Sequence, residues 1–263
     1  MAGAFFDTAS DDRSASSLAP LDLPSIDHGF MERVGGVSAG AYRSFNLARW
    51  VGDDPAAVTE NWRRWLAEHP AMVPALVKQV HGNEVRVIDR SYGSARAPGD
   101  GMVTRDTGIA LCLFTADCVP ILLADAEHRV VGALHAGWRG ALANIVAEGI
   151  RAMTALGARS EAIAAALGPA IGMCCFEVDE ALAERFKREI PSASSYARRG
   201  SRGKGFLDLR AIVAGQLTAA GVEPARIRLT GPCTKCASDR YFSRRAGGGS
   251  PSGLQMSFIG LTR

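Results

Sequence analysis

The sequence predicts an α/β fold: a single domain with a mixed, largely antiparallel sheet flanked by helices. Three observations carry this. Short runs rich in Val, Ile and Leu are mixed with amphipathic helical stretches. Hairpins occur among the strands, which argues against a regular βαβ repeat. Finally, 263 residues at 47% hydrophobic content suffice for one large core, and no repeat or long low-complexity linker follows residue 25.

The elements follow in order. "MAGAFFDTASDDRSASSLAPLDLPS" is rich in Ser, Asp and Ala and reads as a disordered leader (1–25) before one domain (26–263). It lacks the basic and apolar segments of a signal peptide. "GDDPAAVTENWRRWLAEHP" (52–70) reads as a helix, with Asp53 or Asp54 as cap and Pro55 in the first turn. "ALVKQV" (75–80) and "EVRVID" (84–89) read as strands around "HGN", placing His81 at a strand end. "GIALCLFT" (108–115) is a further strand, and "PILLAD" and "RVVGALHA" pair as a hairpin. Helical periodicity then joins Leu142, Ile145, Val146, Gly149, Ile150 and Met153, predicting one helix over 140–156 that Gly157 stops. "EAIAAAL" (161–167), "RIRLT" (226–230) and "QMSFIGL" (255–261) read as strands. "DEALAERFKREI" (179–190), capped by Asp179, and "DLRAIVAGQLTAAG" (208–221) read as helices.

Composition narrows the function. A net charge of +3 is mild, and the Arg clusters at 196–205 and 239–249 read as solvated loops, so no nucleic-acid footprint is present. An anionic small molecule could still use either cluster. The longest apolar run (162–176) is too short and too broken by Gly and Pro to span a bilayer. A cytoplasmic protein with no membrane partner is expected, its six cysteines reduced and available for metal or catalysis.

A two-residue turn at Ala126-Glu127 would make Cys118 and His135 direct cross-strand neighbours, with Cβ atoms ~4.5–5.5 Å apart. That spacing lets both bind one cation, since Zn–S is about 2.3 Å and Zn–N about 2.0–2.1 Å. His81 is the best third ligand. Singly, each has a plainer reading: Cys118 as a small buried hydrophobe, His81 and His135 as loop or interior histidines. The spacing leaves both readings open. His28, His69 and His128 read as structural.

A resemblance adds to this. "HGFMERVGGVSAGAYRSFNLARWVGDDPAAVTEN" (28–61), "VKQVHG" (77–82), "FTADCVPILLAD" (114–125), "VGALHAGWRG" (131–140), "GPAIGMCCFEV" (168–178) and "CTKCASDRYFSRR" (233–245) succeed one another as in a known family. The chain resembles the multicopper polyphenol oxidase, or laccase-domain, family, later recognised as zinc-dependent purine nucleoside phosphorylases. Some of its members carry the label peptidoglycan editing factor. The resemblance implies a fold like that of toxin deamidases, with zinc (copper less so) on His81, Cys118 and His135. It also implies phosphorolysis of adenosine, inosine, guanosine or methylthioadenosine to base and ribose 1-phosphate, with adenosine deamination besides. Three protein ligands leave one position open, as in catalytic zinc sites.

Asn46, Gln79 and Asp117 lie in the shared motifs as substrate contacts. Arg139, with the N–H groups of helix 140–156, offers a phosphate site. Two positions depart from the family: Leu254 and Trp62 stand where an arginine is usual, with Arg63, Arg244 or Arg245 as candidate substitutes. Cys174-Cys175 and Cys233-Thr-Lys-Cys236 raise a second metal site, but pairs so far apart read better as buried thiols shaping the pocket.

Three other classes stay in view. A His₂Cys set also serves blue copper, although five histidines are too few for several copper centres. Cys118 and His135 could form a metal-free hydrolase pair acting in peptidoglycan-precursor editing. A non-enzymatic nucleotide-sensing protein is the last.

Overall fold

Four seven-residue strands, β6 (Ile109–Thr115), β7 (Val119–Asp125), β8 (Val130–Ala136) and β14 (Gln255–Leu261), are buried at every position. A strand covered on both faces needs apolar side chains on both, which is why these segments read as continuous hydrophobic runs rather than alternating ones. They form the middle of a computed structural model that describes residues 17–18, 21–93 and 96–262.

Among the described residues the strands form two large sheets, where one was expected, and a small third. One large sheet runs β1 (Ser17–Leu18), β2 (Ile26–Met31), β14, β6, β3 (Val73–Leu76). The other runs β13 (Ile227–Leu229), β9 (Ala164–Leu167), β7, β8, β5 (Gly101–Thr104), β4 (Val85–Val87). The small sheet is β10 (Glu177–Asp179), β12 (Lys204–Leu207), β11 (Ala197–Arg199). Only β3 with β6, β4 with β5 and β13 with β9 pair in parallel, so the sheets are mixed and largely antiparallel, as expected.

Three apolar clusters stack into four layers. Leu111, Leu113 and Ile259 of one sheet meet Leu122, Val131 and Ala133 of the other between the sheets. Outside the first sheet lies α1 (Pro55–Glu68), whose Trp62 and Trp65 pack on Phe114 and Phe258. Outside the second lie α3 (Ile145–Ala155) and α5 (Leu209–Ala219). Asp54 caps α1 through its carboxylate to the Ala56 N–H, and Asp208 caps α5 through Ala211. Asp179 precedes α4 (Glu180–Glu189) without capping it, and pairs with Lys204 instead. Among the described residues no helix is long and apolar enough to cross a membrane.

Three further expectations change. The single helix over 140–156 is two: α2 (Trp138–Leu142) ends before Asn144, which sits left-handed at φ 54° and caps α3 through Ala147 N–H. Asn tolerates that conformation, and the apolar periodicity crosses the break undisturbed, which hides it in the sequence. The β7–β8 loop has four residues rather than two, because the buried Asp125 carboxylate turns inward to accept from the His128 and Arg159 backbone. Pro120 therefore faces His135, and Cys118 is offset by two residues. An even slip keeps both side chains on one face. Of the leader 1–25, residues 1–16 and 19–20 lie outside the described residues, while Ser17–Leu18 pair with β2 and Leu21 is buried.

Candidate metal centre and adjoining cavity

His81, Cys118 and His135 arrive from three places and bring their donor atoms within 4.8 Å of one another. His135 is the penultimate residue of β8, Cys118 immediately precedes β7, and His81 lies on the loop after β3 rather than at its end. Gly137 makes room for them. A Cβ there would stand 3.0 Å from His81 Cδ2 and 3.3 Å from Cys118 Sγ.

Asp100, just before β5, organises both imidazoles. Its buried carboxylate accepts the backbone N–H groups of Val80 (3.1 Å), His81 (2.9 Å) and Gly82 (2.7 Å), which holds His81 at φ 62°. The same carboxylate accepts from His135 Nδ1 at 2.8 Å, and its backbone carbonyl accepts the His135 N–H at 2.7 Å. A carboxylate only accepts, so Nδ1 carries a proton and Nε2, on losing its own, is the ring nitrogen that would bind a metal.

Burial by itself pushes the Cys118 thiol upward, but the adjacent His135 and His81 outweigh it and hold it near about 6. Burial lowers His135, yet the Cys118 thiolate and Asp100 raise it to about 9. For Asp100 burial again acts upward, and the His135 bond with the Gly82 and His81 amides brings the carboxyl below its ordinary range. An anionic sulfur beside two oriented imidazoles is a donor set suited to a divalent ion.

A cavity of about 570 Å³ opens beside these donors, and Cys118, His81 and His135 form part of its wall. Its other described walls carry Lys78, Arg96 and Arg244 and no carboxylate. Trp50 and Phe114 give an aromatic side, in edge contact at 5.0 Å, and the Arg96 guanidinium stacks on Trp50 at 3.9 Å. Thr115 also lines the cavity, its hydroxyl oxygen buried and without a hydrogen-bond partner among the described residues.

The expected substrate contacts separate. Gln79 lines the cavity, its amide locked to the Phe114 backbone by bonds of 2.9 Å on both sides. Asn46 is fully buried and spent on Asp53, Ala48 and the Leu254 N–H. Asp117 ties two distant loops, accepting from Thr234 Oγ1 and Arg245 N–H. Arg139 is exposed and stacks on Trp138 at 4.3 Å, outside the cavity wall. Its helix, α2, is only five residues long.

Among the substitutes for the missing arginines, Arg244 lines the cavity beside Leu254, whereas Arg63 pairs with Glu60 on the surface. Arg245 bonds the Cys175 and Glu177 carbonyls. Trp62 is a core residue that donates to Leu47. His28, His69 and His128 are each held by a partner away from the metal centre: the Leu21 N–H, Asp27 and Asp125. The four other motif cysteines do not shape this cavity, and Cys174 and Cys236 are exposed rather than buried. Sequence reasoning missed Asp100, Arg96, Trp50, Lys78 and Thr115 as site residues. Trp50, Lys78 and Thr115 sit inside motifs already singled out, the last two three residues before a candidate ligand, and that was their only signal.

Residues 27–262 match the family described as multi-copper polyphenol oxidoreductase laccase. The chain belongs to this family. Within the laccase-like family, it is 42% identical over 222 residues to a purine nucleoside phosphorylase of Streptomyces coelicolor, covering 82% of this chain and 89% of that one. The solved structure of YlmD from Geobacillus stearothermophilus superposes with a TM-score of 0.86 at 33% identity, covering 93% and 94% of the two chains. The Bacillus licheniformis protein YfiH superposes with a TM-score of 0.88 at 28% identity, covering 95% and 98%.

Proposed function

We propose that this chain is a zinc-dependent purine nucleoside phosphorylase, converting a nucleoside such as adenosine, inosine, guanosine or methylthioadenosine and phosphate to free base and ribose 1-phosphate. The observation that carries it is the pairing of three converging donors, His81, Cys118 and His135, with an adjoining cavity whose charged walls are all cationic. Relatives named purine nucleoside phosphorylase support the same reading. The six free cysteines fit a cytoplasmic setting.

When bound, zinc supplies a Lewis-acid centre that orients oxygen and stabilises negative charge. The chain's own residues do the rest. Lys78, Arg96 and Arg244 hold the phosphate through charge-assisted hydrogen bonds and keep it close to the sugar. Trp50 and Phe114 offer apolar faces to the purine. A phosphate oxygen attacks C1′, the C1′–N9 bond breaks, and the base leaves with the electron pair and takes up a proton. Asp100 keeps His135 in one tautomer throughout. Incubating the protein with inosine, with and without phosphate, tests this. Hypoxanthine and ribose 1-phosphate are expected only with phosphate, and base release that ignores phosphate defeats the reading. Adenosine deamination is proposed alongside, checked by inosine formation in phosphate-free buffer.

One observation favours a second reading. Cys118, His135 and Asp100 also form a thiolate, imidazole and carboxylate in series, as in a cysteine hydrolase. Full activity after exhaustive chelation would select it.

A further inference from the structure

Cys174, Cys175, Cys233 and Cys236 bring four sulfurs within 4.8 Å of one another, and Thr234, between two of them in sequence, bonds Asp117. We propose that they form a second, structural metal site, a closed tetrathiolate that takes zinc. It goes beyond the phosphorylase reading and does not depend on it.

The distances fit this assignment. Cys236 Sγ stands 3.7 Å from Cys174 Sγ and 3.5 Å from Cys175 Sγ. Sulfurs at the corners of a tetrahedron with Zn–S of about 2.3 Å are about 3.8 Å apart. A disulfide needs about 2.05 Å and joins only two sulfurs, whereas Cys236 approaches two at once. All four are free thiols.

The backbone is arranged as a ligand cradle. Cys233-Thr-Lys-Cys236 closes a tight turn by the Ala237 N–H to the Cys233 carbonyl at 3.0 Å. Gly172 lies against the cluster: a Cβ there would stand 3.3 Å from Cys233 Cβ and 3.4 Å from Cys174 Sγ. Cys174 and Cys175 ride a second turn, closed by the Cys175 and Phe176 N–H groups on the Gly172 carbonyl at 2.9 Å. The Thr234 N–H bonds the Ala170 carbonyl at 3.1 Å and lays one turn against the other. Each thiol gives its proton to solvent on binding. The resulting charge of two minus lies close to Arg245, which bonds the Cys175 carbonyl, and to Lys235 within the turn.

Four protein ligands leave no open position, so the site holds structure rather than chemistry. What it would hold is specific. The clamped segment continues to Arg245, whose N–H bonds Asp117 Oδ2 at 2.8 Å, and to Arg244 in the cavity wall. Thr234 Oγ1 bonds the other oxygen of Asp117, next to Cys118.

Metal analysis of protein purified under reducing conditions, without added metal, tests this. Wild type is expected to hold two zinc ions per chain, Cys118→Ala one, Cys236→Ser one, and Cys236→His two, since His can replace a thiolate ligand. Cobalt loaded into Cys118→Ala is expected to give the intense thiolate charge-transfer bands of a tetrathiolate, and these should vanish in the double variant with Cys236→Ser. If Cys236→Ser misfolds, the Cys118→Ala cobalt spectrum decides by itself. Zinc content unaltered by Cys236→Ser, no cobalt bands in Cys118→Ala, or an intact mass showing disulfides among these four would overturn the assignment. None of these readouts requires nucleoside turnover, so they stand apart from the fate of the phosphorylase reading.

Discussion

The molecule holds two sulfur-bearing clusters of similar size and opposite design. His81 on a loop, Cys118 just before β7 and His135 near the end of β8 face a cavity, with Asp100 bonded to the His81 backbone and the His135 ring. Cys174, Cys175, Cys233 and Cys236 sit on two turns, two of them exposed, and none of the four lines that cavity. Under the two assignments proposed above, donor number and surroundings separate a catalytic centre from a clamp. Three ligands with mixed chemistry leave room for substrate, while four identical ones fill the tetrahedron.

The largest expected effect comes from exchanging losses between the clusters. Cys118→Ala should cut kcat/KM for inosine phosphorolysis by about 10³-fold or more while barely moving Tm. Cys236→Ser should lower Tm by about 5 °C or more and cost far less turnover at 25 °C. If both variants lose activity and stability alike, the distinction fails.

Asp100→Asn tests whether the working centre depends on its support. The amide keeps the volume but places an N–H where an acceptor was needed, so metal affinity and activity should fall about 10–100-fold. Competition with a zinc chelator, measured beside activity, checks it. Cys118 content of thiol should be unaffected.

Arg244→Ala should raise KM for phosphate about tenfold with a smaller change in kcat, since a cation lost from a partly exposed wall mainly weakens anion binding. Leu254→Arg should move it the other way by restoring a cation to the same wall. Equal phosphate KM in wild type and both variants would remove this wall from the phosphate site.

The smallest effect is a pH signature in the metal-free protein. The thiolate reacts and the thiol does not, so alkylation of Cys118, read by peptide mass, should rise as pH passes upward through about 6. Cys112, buried and pushed upward by desolvation, should stay unlabelled over the same range. Labelling of Cys118 that begins only above pH 8 would contradict the electrostatics of the centre.

Much of this was legible along the chain. The helix read over 52–70 with Asp53 or Asp54 as cap is α1, capped by Asp54, and the strand read over 255–261 is β14, both from local periodicity and end signals. The three donors stand in motifs, and the hairpin put Cys118 and His135 on one face even though the assumed turn was two residues too short, because face depends only on parity. The break at Asn144 was not legible, since apolar spacing continues through it.

By itself, then, the sequence determined the local elements, the apolar runs that must be buried on both faces, and the residue types able to bind metal or anion. Only the tertiary structure decided that Asp100 meets His135 across 35 residues and that Cys174 meets Cys236 across 62. It also decided that Arg139 turns aside while Arg244 enters the cavity. Such long-range meetings depend on how sheets and loops pack, and no periodicity in the chain encodes the distance between two loops.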